Sequence, residues 1–328
     1  MSAPEIGQPG LVSKARRTMR VNSMSYGARD ILLCELVPID GVPVEAFTAG
    51  AHVDVHLPGG LVRQYSLAND PAESERYIIG VKKEAGGRGG SRYIHERLRV
   101  GDQLEVGVPR NNFPLAEDAR HTVFLAGGIG ITPIRSMIAR AGAIGLSWEL
   151  HYAVRDEVEA VFPDEWRGSE RAHLHVDKEH GGRPIDLSAL ALAVPSDAHV
   201  YCCGPAPMID AFSKAFKQWP GSHRHVEHFG AVPDDTPAST DAFTVVLARS
   251  GLTLDVAGGQ SILEVVRAAG IDADASCEQG VCGACEVKVL EGVPEHRDLL
   301  LSPEEKQAGK SIMICCSRSR SSRIVLDL

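Results

Sequence analysis

Four cysteines near the carboxyl end carry the strongest chemical signal in this sequence. Three of them follow the spacing Cys277-x4-Cys282-x2-Cys285, and Cys315 follows farther along the chain. Thiolates are soft ligands that suit iron and sulfide, and this spacing is that of plant-type 2Fe-2S ferredoxins. We therefore predict that the four cysteines hold a 2Fe-2S cluster, with three in one loop and the fourth closing the far side.

The fourth ligand must be chosen between two neighbours, Cys315 and Cys316. Successive side chains of a strand point to opposite faces, so only one of them can face the cluster. We predict Cys315 as the ligand and Cys316 as a small buried apolar residue. The alternative is a set of buried or disulfide-bonded cysteines. It fits poorly with residues 1–10, which lack the basic and apolar regions of a secretion signal, and we expect a cytoplasmic protein.

A glycine-rich turn after an apolar run indicates a nucleotide site. The strand predicted at 122–126 leads into Gly127-Gly-Ile-Gly-Ile-Thr-Pro133 and then into a helix. Glycines at such a turn bring backbone amides and a helix amino terminus close to a pyrophosphate. The segment lacks the third glycine of the full dinucleotide fingerprint, so a tight strand–helix turn remains an alternative. A second turn, Tyr201-Cys-Cys-Gly-Pro205, follows another predicted strand, and two such turns can line one crevice.

Two segments of the first third have the residue types of a flavin site. In Arg63-Gln-Tyr-Ser-Leu67 the strand period places Arg63 and Tyr65 on one face and Ser66 on the other. An arginine fork suits a phosphate, and a tyrosine ring can lie along a flat heterocycle. Lys82 and the segment Arg88-Gly-Gly-Ser91 precede a helix predicted at 92–98, which is a second phosphate-compatible start. A solvated basic strand and a flexible glycine loop are the alternatives.

The elements that must position these residues divide into three domains. Short strands dominate the first third, as in an antiparallel β-barrel, and from about residue 121 strands alternate with helices, as in an α/β Rossmann-like fold. A Pro-, Asp- and Thr-rich stretch without periodicity then reads as a linker. The last part combines strands with a helix that begins at the capping box Ser261–Glu264, which indicates an α+β domain of β-grasp type. The predicted boundaries are 1–116, 117–231, linker 232–240, and 241–328.

Composition limits the class of partner. The chain has 328 residues, 44% of them apolar and 23% charged, and a formal net charge of -9. It has no apolar run long enough to span a membrane, and its acidity argues against nucleic acid as a partner. We expect a monomer, because no extra interface element is visible.

These motifs and their order resemble the phthalate dioxygenase reductase family, which includes vanillate demethylase reductases. The shared segments are Arg63-x-Tyr-Ser-Leu67, Gly87-Arg-Gly-Gly-Ser91, Gly127–Pro133, Tyr201–Pro205, Phe229-Gly230 and the cysteine loop. The resemblance implies FMN as the flavin, bound by Arg63, Tyr65, Ser66, Lys82, Gly90 and Ser91. It implies NADH at Gly128, Gly130, Thr132, Cys203, Gly204 and Pro205. Phe229 matches an aromatic that packs by the flavin, and we name it and Ser66 as the residues acting at the reacting ring.

Two residues bear on the choice of nucleotide. Asp156 follows the strand predicted at 148–154, where an acid can accept a hydrogen bond from the adenosine ribose. Arg155 beside it leaves a preference between NADH and NADPH open.

For Phe229, predicted to pack by the flavin, the alternative is an ordinary core phenylalanine.

A flavin between nicotinamide and cluster meets a physical need, because hydride transfer moves two electrons and a 2Fe-2S cluster accepts one. We predict transfer from NADH to FMN to the cluster and then to an oxygenase, which the resemblance implies to have a Rieske centre and an aromatic acid such as phthalate or vanillate as substrate. The alternatives are a redox-sensing 2Fe-2S module and a general reductase serving another hydroxylase or a cytochrome.

Overall fold

The computed structural model describes residues 15–230 and 241–328, and the predicted linker 232–240 lies outside them. The described residues form two compact units. One contains a barrel and a parallel sheet, and the other contains a mixed sheet. The predicted division into a barrel, a Rossmann-like domain and a β-grasp ferredoxin domain is confirmed as a fold class.

The first sheet is an antiparallel barrel of six strands in the order β4-β3-β6-β1-β2-β5. A bridge between Leu67, the residue after β4, and Ile79 in β5 joins its two outer strands. The barrel core contains Val53, Val55 and Leu36, and the helix α1 packs on it through Ile94. The elements are β1 (Arg16–Ala28), β2 (Ile31–Pro38), β3 (His52–Leu57), β4 (Leu61–Ser66), β5 (Tyr77–Lys82), α1 (Gly90–Glu96) and β6 (Gln103–Gly107).

The second sheet is parallel, with five strands in the order β11-β10-β7-β8-β9. Its core on one face is shared with the barrel, because Ala28, Ile31 and Phe113 pack with Phe124 and Tyr152. This shared core explains why barrel and parallel sheet form one compact unit. The elements are β7 (Thr122–Gly127), α2 (Ile131–Ile144), β8 (Trp148–Val154), α3 (Pro163–Trp166), β9 (Ala172–Val176), α4 (Leu187–Ala193), β10 (His199–Cys203), α5 (Ala206–Ala215) and β11 (Arg224–Glu227).

The third sheet has five strands in the order β13-β12-β18-β14-β16, with a separate β15–β17 pair. Helix α6 begins with the predicted capping box, in which Ser261 and Glu264 bond to each other's backbone amides. The elements are β12 (Phe243–Leu247), β13 (Leu252–Val256), α6 (Ile262–Ala268), β14 (Glu286–Glu291), β15 (Pro294–Glu295), α7 (Pro303–Ala308), β16 (Ser311–Met313), β17 (Arg318–Ser319) and β18 (Arg323–Leu326).

Within the described residues, no helix combines the length and the apolar character needed to cross a membrane.

Candidate functional site

The predicted flavin-phosphate residues meet at the junction of β4 and α1. The Arg63 guanidinium donates hydrogen bonds to the carbonyls of Val62 at 2.7 Å and Arg88 at 2.6 Å. A Cβ on Gly90 would lie 2.5 Å from Arg63 Cγ and 2.7 Å from its Nε, so only glycine allows the arginine to cross the start of α1. A fixed guanidinium beside a helix amino terminus fits a phosphate group such as that of FMN.

Two other predicted residues of this region have protein partners. Ser91 Oγ accepts a hydrogen bond from the Glu84 amide at 3.1 Å, which closes the glycine loop before α1. Lys82 is exposed at the end of β5, and its Nζ lies 3.7 Å from Glu84 Oε1. Their roles toward a cofactor stay predictions.

Tyr65 and Ser66 point to opposite faces of β4, as the strand period predicts. The Tyr65 ring packs partly buried against the barrel core, and burial raises the pKa of its hydroxyl. Ser66 is buried at 6% exposure at the last residue of the strand. The strand therefore presents a flat ring on one side and a sheltered hydroxyl on the other.

The two predicted glycine turns lie against each other at the carboxyl ends of β7 and β10. A Cβ on Gly130 would lie 2.1 Å from the Cys203 carbonyl oxygen, and one on Gly127 would lie 2.6 Å from Pro205 Cδ. Nothing lies within 4 Å of the position of a Cβ on Gly128, whose φ is +53°. The turns thus pack tightly where they meet and are open at Gly128, a cradle that fits a dinucleotide pyrophosphate.

Two buried hydroxyls hold the first turn in shape. Thr132 Oγ1 donates to the Ile129 carbonyl at 3.0 Å, so this predicted cofactor residue braces the turn. Tyr152, buried on β8, donates its hydroxyl to the Gly128 carbonyl at 3.0 Å and accepts from the Val161 amide at 2.9 Å. Sequence reasoning missed Tyr152 because a tyrosine within an apolar strand gives no sign of its partner.

Glu227, which sequence reasoning also missed, joins the barrel to the nucleotide strands. Ser66 Oγ donates to Glu227 Oε2 at 3.5 Å, and Cys203 Sγ lies 3.9 Å from the same oxygen. Glu227 pairs with Cys203 across parallel strands β10 and β11. The three groups meet although they come from distant parts of the chain.

The environment of Glu227 keeps its carboxyl protonated near neutral pH. The residue retains partial exposure, whereas the carboxyl itself is enclosed by surrounding atoms, and this enclosure raises its pKa to about 8. Burial also raises the pKa of the Cys203 thiol well above its ordinary value. The side chains of Ser66, Glu227 and Cys203 are therefore all uncharged at pH 7. This suits contact with the flat, uncharged ring of a reduced nicotinamide.

Phe229 is 44% exposed just beyond the end of β11. The alternative of an ordinary core phenylalanine is wrong, because a core residue would be buried. An exposed aromatic two residues after Glu227 is in place to cover a flat cofactor ring, and this role stays a prediction.

Asp156 lies beyond the carboxyl end of β8, as predicted, but it has a partner there. Lys178 Nζ donates to its Oδ2 at 3.0 Å, and this lysine lowers the pKa of Asp156. A ribose hydroxyl would have to share the carboxylate with Lys178. The ribose role stays a prediction, and Arg155 beside it is exposed.

The four predicted cluster ligands converge in the third sheet's unit. The Cys277 sulfur accepts hydrogen bonds from the Cys282 and Cys315 thiols, which lowers the pKa of Cys277 and raises those of the other two. Cys315 also interacts with Cys285. Buried sulfurs gathered in this way fit a thiolate-bound cluster, since each needs a soft cation once deprotonated.

Backbone contacts hold the loop that carries Cys277 and Cys282 in shape. The Gln279 amide donates to Cys277 Sγ at 3.3 Å, and the Ala284 amide donates to Cys282 Sγ at 3.5 Å. Gly280 has a φ of +72°, and a Cβ there would lie 2.5 Å from Cys316 Sγ and 2.9 Å from Asp298 Cα. Only glycine fits between the loop and the segments beneath it.

Cys316 interacts with the neighbouring ligand Cys315 and also has polar partners of its own. Its sulfur lies 3.8 Å from the Met313 carbonyl oxygen and 3.8 Å from Ser317 Oγ. The prediction of a buried apolar residue is wrong here, because Cys316 is partly exposed and contacts polar atoms. Asp298, a residue that sequence reasoning missed, is buried under the loop and accepts from the Leu301 amide at 2.9 Å.

Comparison with known proteins agrees with this geometry. Residues 245–320 match the family model described as a 2Fe-2S iron-sulfur cluster binding domain. The chain is 47% identical over 312 residues to phenoxybenzoate dioxygenase subunit beta of Ectopseudomonas oleovorans, covering 95% of this chain and 97% of that protein.

Two solved structures extend the comparison. A structure of phthalate dioxygenase reductase, described as modular for electron transfer from pyridine nucleotides to 2Fe-2S, is 39% identical with a TM-score of 0.73, covering 95% of this chain and 98% of the other. An intact type IV self-sufficient cytochrome P450 monooxygenase is 42% identical with a TM-score of 0.86, covering 95% of this chain. This chain spans only 41% of that larger protein.

Proposed function

This chain belongs to the phthalate dioxygenase reductase family, and from that premise we propose that it reduces an oxygenase component that carries a Rieske centre and oxidises an aromatic acid. It is an NADH-dependent iron–sulfur flavoprotein oxidoreductase, in which electrons pass from NADH through FMN to the 2Fe-2S cluster. The observation that carries the proposal is the convergence of four cysteine thiols on a chain that also holds the paired glycine turns.

We assign the flavin site to the junction of β4 and α1. FMN held there would supply the change from two-electron hydride transfer to the single-electron transfer that the cluster needs. Arg63, held by two carbonyls, and the start of α1 at Gly90 and Ser91 bind its phosphate. The Tyr65 ring would contact the flat flavin ring, and Lys82 adds positive charge at the end of β5.

We assign the dinucleotide to the crevice between the glycine turns. Gly128 gives the pyrophosphate access to backbone amides, Gly130 allows the first turn to approach the backbone of Cys203, and Thr132 holds the turn in shape. Cys203, Gly204 and Pro205 form the opposite wall. The uncharged side chains of Ser66, Glu227 and Cys203 would position the nicotinamide, and the exposed Phe229 would pack by the flavin.

A Rieske acceptor suits the energetics of onward transfer. Plant-type clusters have reduction potentials of about -400 mV, whereas those of Rieske centres range from roughly -150 to +300 mV. Transfer from this cluster to such a centre is therefore downhill. The relatives named for phenoxybenzoate and phthalate dioxygenases support an aromatic acid as the substrate class of the partner.

An anaerobic NADH titration tests the electron path. We expect bleaching of the flavin absorbance together with the rhombic EPR signal of a reduced 2Fe-2S cluster. The Cys285→Ser variant is the control, and it should keep the bleaching and lose the EPR signal. Bleaching without the signal in the wild type would contradict the cysteine assignment, and no bleaching would favour a redox-sensing module.

A second candidate acceptor is a haem, because a P450 monooxygenase contains a segment 42% identical to this chain. Stopped-flow mixing of the reduced protein with a Rieske oxygenase component and, separately, with a P450 haem domain distinguishes the two. We expect rapid reduction of the Rieske centre and slow reduction of the haem. Faster reduction of the haem than of the Rieske centre would favour a P450 haem as the acceptor.

We further propose that the protein works in the cytoplasm as a monomer, in which 1–116 binds FMN, 117–231 binds NADH and 241–328 carries the cluster. The common core of barrel and parallel sheet supports a fixed placement of FMN beside NADH. Size-exclusion chromatography with light scattering tests the monomer, and a mass of twice 35.2 kDa would contradict it.

A further inference from the structure

A group of three potential metal ligands lies on the parallel sheet, on strands β8 and β9. His151 of β8 pairs directly with His173 of β9, and Glu149 precedes His151 by two residues. Because strand side chains alternate, Glu149 and His151 share a face, and the register places His173 beside them. One ligand atom from each residue lies within 4.8 Å of the other two.

The hydrogen bonding of His151 points to a missing partner. Its buried Nε2 lies 3.4 Å from Glu149 Oε1, a close contact that lacks the alignment of a hydrogen bond. A buried polar atom without a well-aligned hydrogen bond is unfavourable. A cation between the nitrogen and the carboxylate would satisfy both groups.

The types of ligand in the group indicate which ion would bind. The His151 and His173 rings stack with centroids 4.9 Å apart. Two imidazoles and one carboxylate are ligands typical of zinc and of other first-row transition metals, whereas Mg²⁺ and Ca²⁺ select oxygen ligands.

The group is separate from the proposed cofactor crevice. Glu149 is the second residue of β8 and pairs with Val123, and His151 pairs with Leu125. Val123 and Leu125 pack with α4 and α5, whereas the crevice lies at the strand ends around Gly127. The proposed electron path does not use the three residues.

We propose that Glu149, His151 and His173 form a binding site for a divalent transition-metal ion such as Zn²⁺. Three protein ligands leave a coordination position for water, and His173 is exposed, so an ion can enter from solvent. Because β9 is an edge strand of the sheet, a bound ion would also fasten this edge to β8.

Calorimetric titration of the oxidised holoprotein with ZnCl2 tests the site, with visible absorbance confirming that the cluster stays intact. We expect one Zn²⁺ per chain. Since loss of even an outer partner of a metal ligand weakens binding by about 10–100-fold, His173→Gln and Glu149→Gln should each weaken it by at least about 100-fold. His173 is exposed, so its replacement leaves the fold intact.

His175→Gln is the matched control, since His175 lies two residues along the same strand and face and contacts the Arg183 carbonyl at 3.0 Å. This variant should keep the wild-type affinity. Absence of stoichiometric binding to the wild type, unchanged binding in His173→Gln, or an equal loss in His175→Gln would each overturn the proposal.

Cu²⁺ gives a second readout that does not involve electron transfer from NADH. Cu²⁺ binds nitrogen and oxygen sites more tightly than Zn²⁺, and oxidised flavin and oxidised 2Fe-2S clusters give no EPR signal of their own. Substoichiometric Cu²⁺ should show couplings to two nitrogens in the wild type and to one in His173→Gln. A spectrum that is the same in both proteins would overturn the assignment.

Discussion

At the scale of residues, the contact between Ser66 and Glu227 joins the two halves of the proposed reaction site. Ser66 ends a barrel strand and Glu227 ends a strand of the parallel sheet, and Cys203 lies beside the same carboxyl oxygen. Since the pKa of Glu227 is raised to about 8, the carboxyl carries a proton at pH 7. The protein therefore places a neutral acid next to the residues assigned to the nicotinamide.

Replacing Glu227 with glutamine should remove a pH dependence of stability. The folded pKa of about 8 lies above the ordinary value of 4.5, so the folded state holds a proton that the unfolded state has lost between these pH values. Wild-type stability therefore falls as pH rises from 4.5 to 8. The free energy of unfolding of Glu227→Gln should rise relative to wild type by up to about 1.4 kcal/mol per pH unit in this window.

Urea unfolding of both proteins at several pH values measures this difference. Glu179→Gln, a change at an exposed glutamate, is the control and should follow the wild type. A Glu227→Gln profile parallel to the wild type would show that the carboxyl is already ionised in the folded protein.

The neighbouring cysteines at the cluster should respond differently to substitution. Cys315→Ser removes a sulfur that interacts with Cys277 and Cys285, so we expect loss of most of the cluster absorbance and of the reduced-cluster EPR signal. Cys316→Ser changes a sulfur that interacts with Cys315, Met313 and Ser317 but is not a predicted ligand, so the cluster should remain. Iron content and EPR on both variants measure the outcome, and a cluster lost only in Cys316→Ser would reverse the assignment.

At the scale of elements, the two glycine turns depend on each other. Each is an ordinary strand-to-helix connection, but Gly130 lies against the backbone of Cys203 and Gly127 against Pro205. The parallel pairing of β7 with β10 brings them together. The crevice is thus a property of the pair, and a change in one turn displaces the other.

Gly130→Ala should disturb this contact. The new methyl group would lie 2.1 Å from the Cys203 carbonyl oxygen, so one turn must move. We expect a loss of about 1–3 kcal/mol in stability and at least tenfold weaker NADH binding, about 1.4 kcal/mol. Gly142→Ala is the control, because nothing lies within 4 Å of its Cβ position in helix α2, and it should stabilise the protein by about 0.5–1 kcal/mol.

Thermal unfolding and NADH titration measure both effects. Unchanged NADH affinity in Gly130→Ala would show that the contact between the turns does not shape the nucleotide site.

Elements with strong sequence periodicity were predicted well, and the others were missed. Strand β8 has its predicted bounds, 148–154, and strand β7, predicted at 122–126, spans Thr122–Gly127. Strand β1 was missed, because in Arg16–Ala28 many side chains are exposed and bulges interrupt its pairing with β2. Helices α3, α4 and α7 and the short strands β11, β15, β16 and β17 were missed, and α1, predicted at 92–98, spans Gly90–Glu96.

At the scale of the molecule, the residues of the ferredoxin domain form a compact unit of their own. Their core includes Val245, Ile262 and Ile312, all fully buried. We expect residues 241–328 produced alone to fold and to assemble a 2Fe-2S cluster that dithionite reduces and NADH does not. The EPR signal after each reductant measures this, with the full-length protein as the control. Failure of the fragment to hold iron would show that the cluster domain needs the rest of the chain.

The sequence by itself determined the chemistry of this protein. The Cys277-x4-Cys282-x2-Cys285 spacing and the two glycine turns are local patterns, because ligand geometry and close backbone approach restrict which residues can stand at fixed positions. These patterns, with the order of the domains, were enough to predict the family, the cofactors and the three folds.

Only the tertiary structure decided which distant groups meet. Glu227 is an unremarked acid in the sequence, and the pairing of β10 with β11 places it beside Cys203 and Ser66. Likewise, the register between β8 and β9 brings His173 to His151. Such contacts depend on strand order and register, which are set by packing across the whole sheet and leave no local pattern in the residues involved.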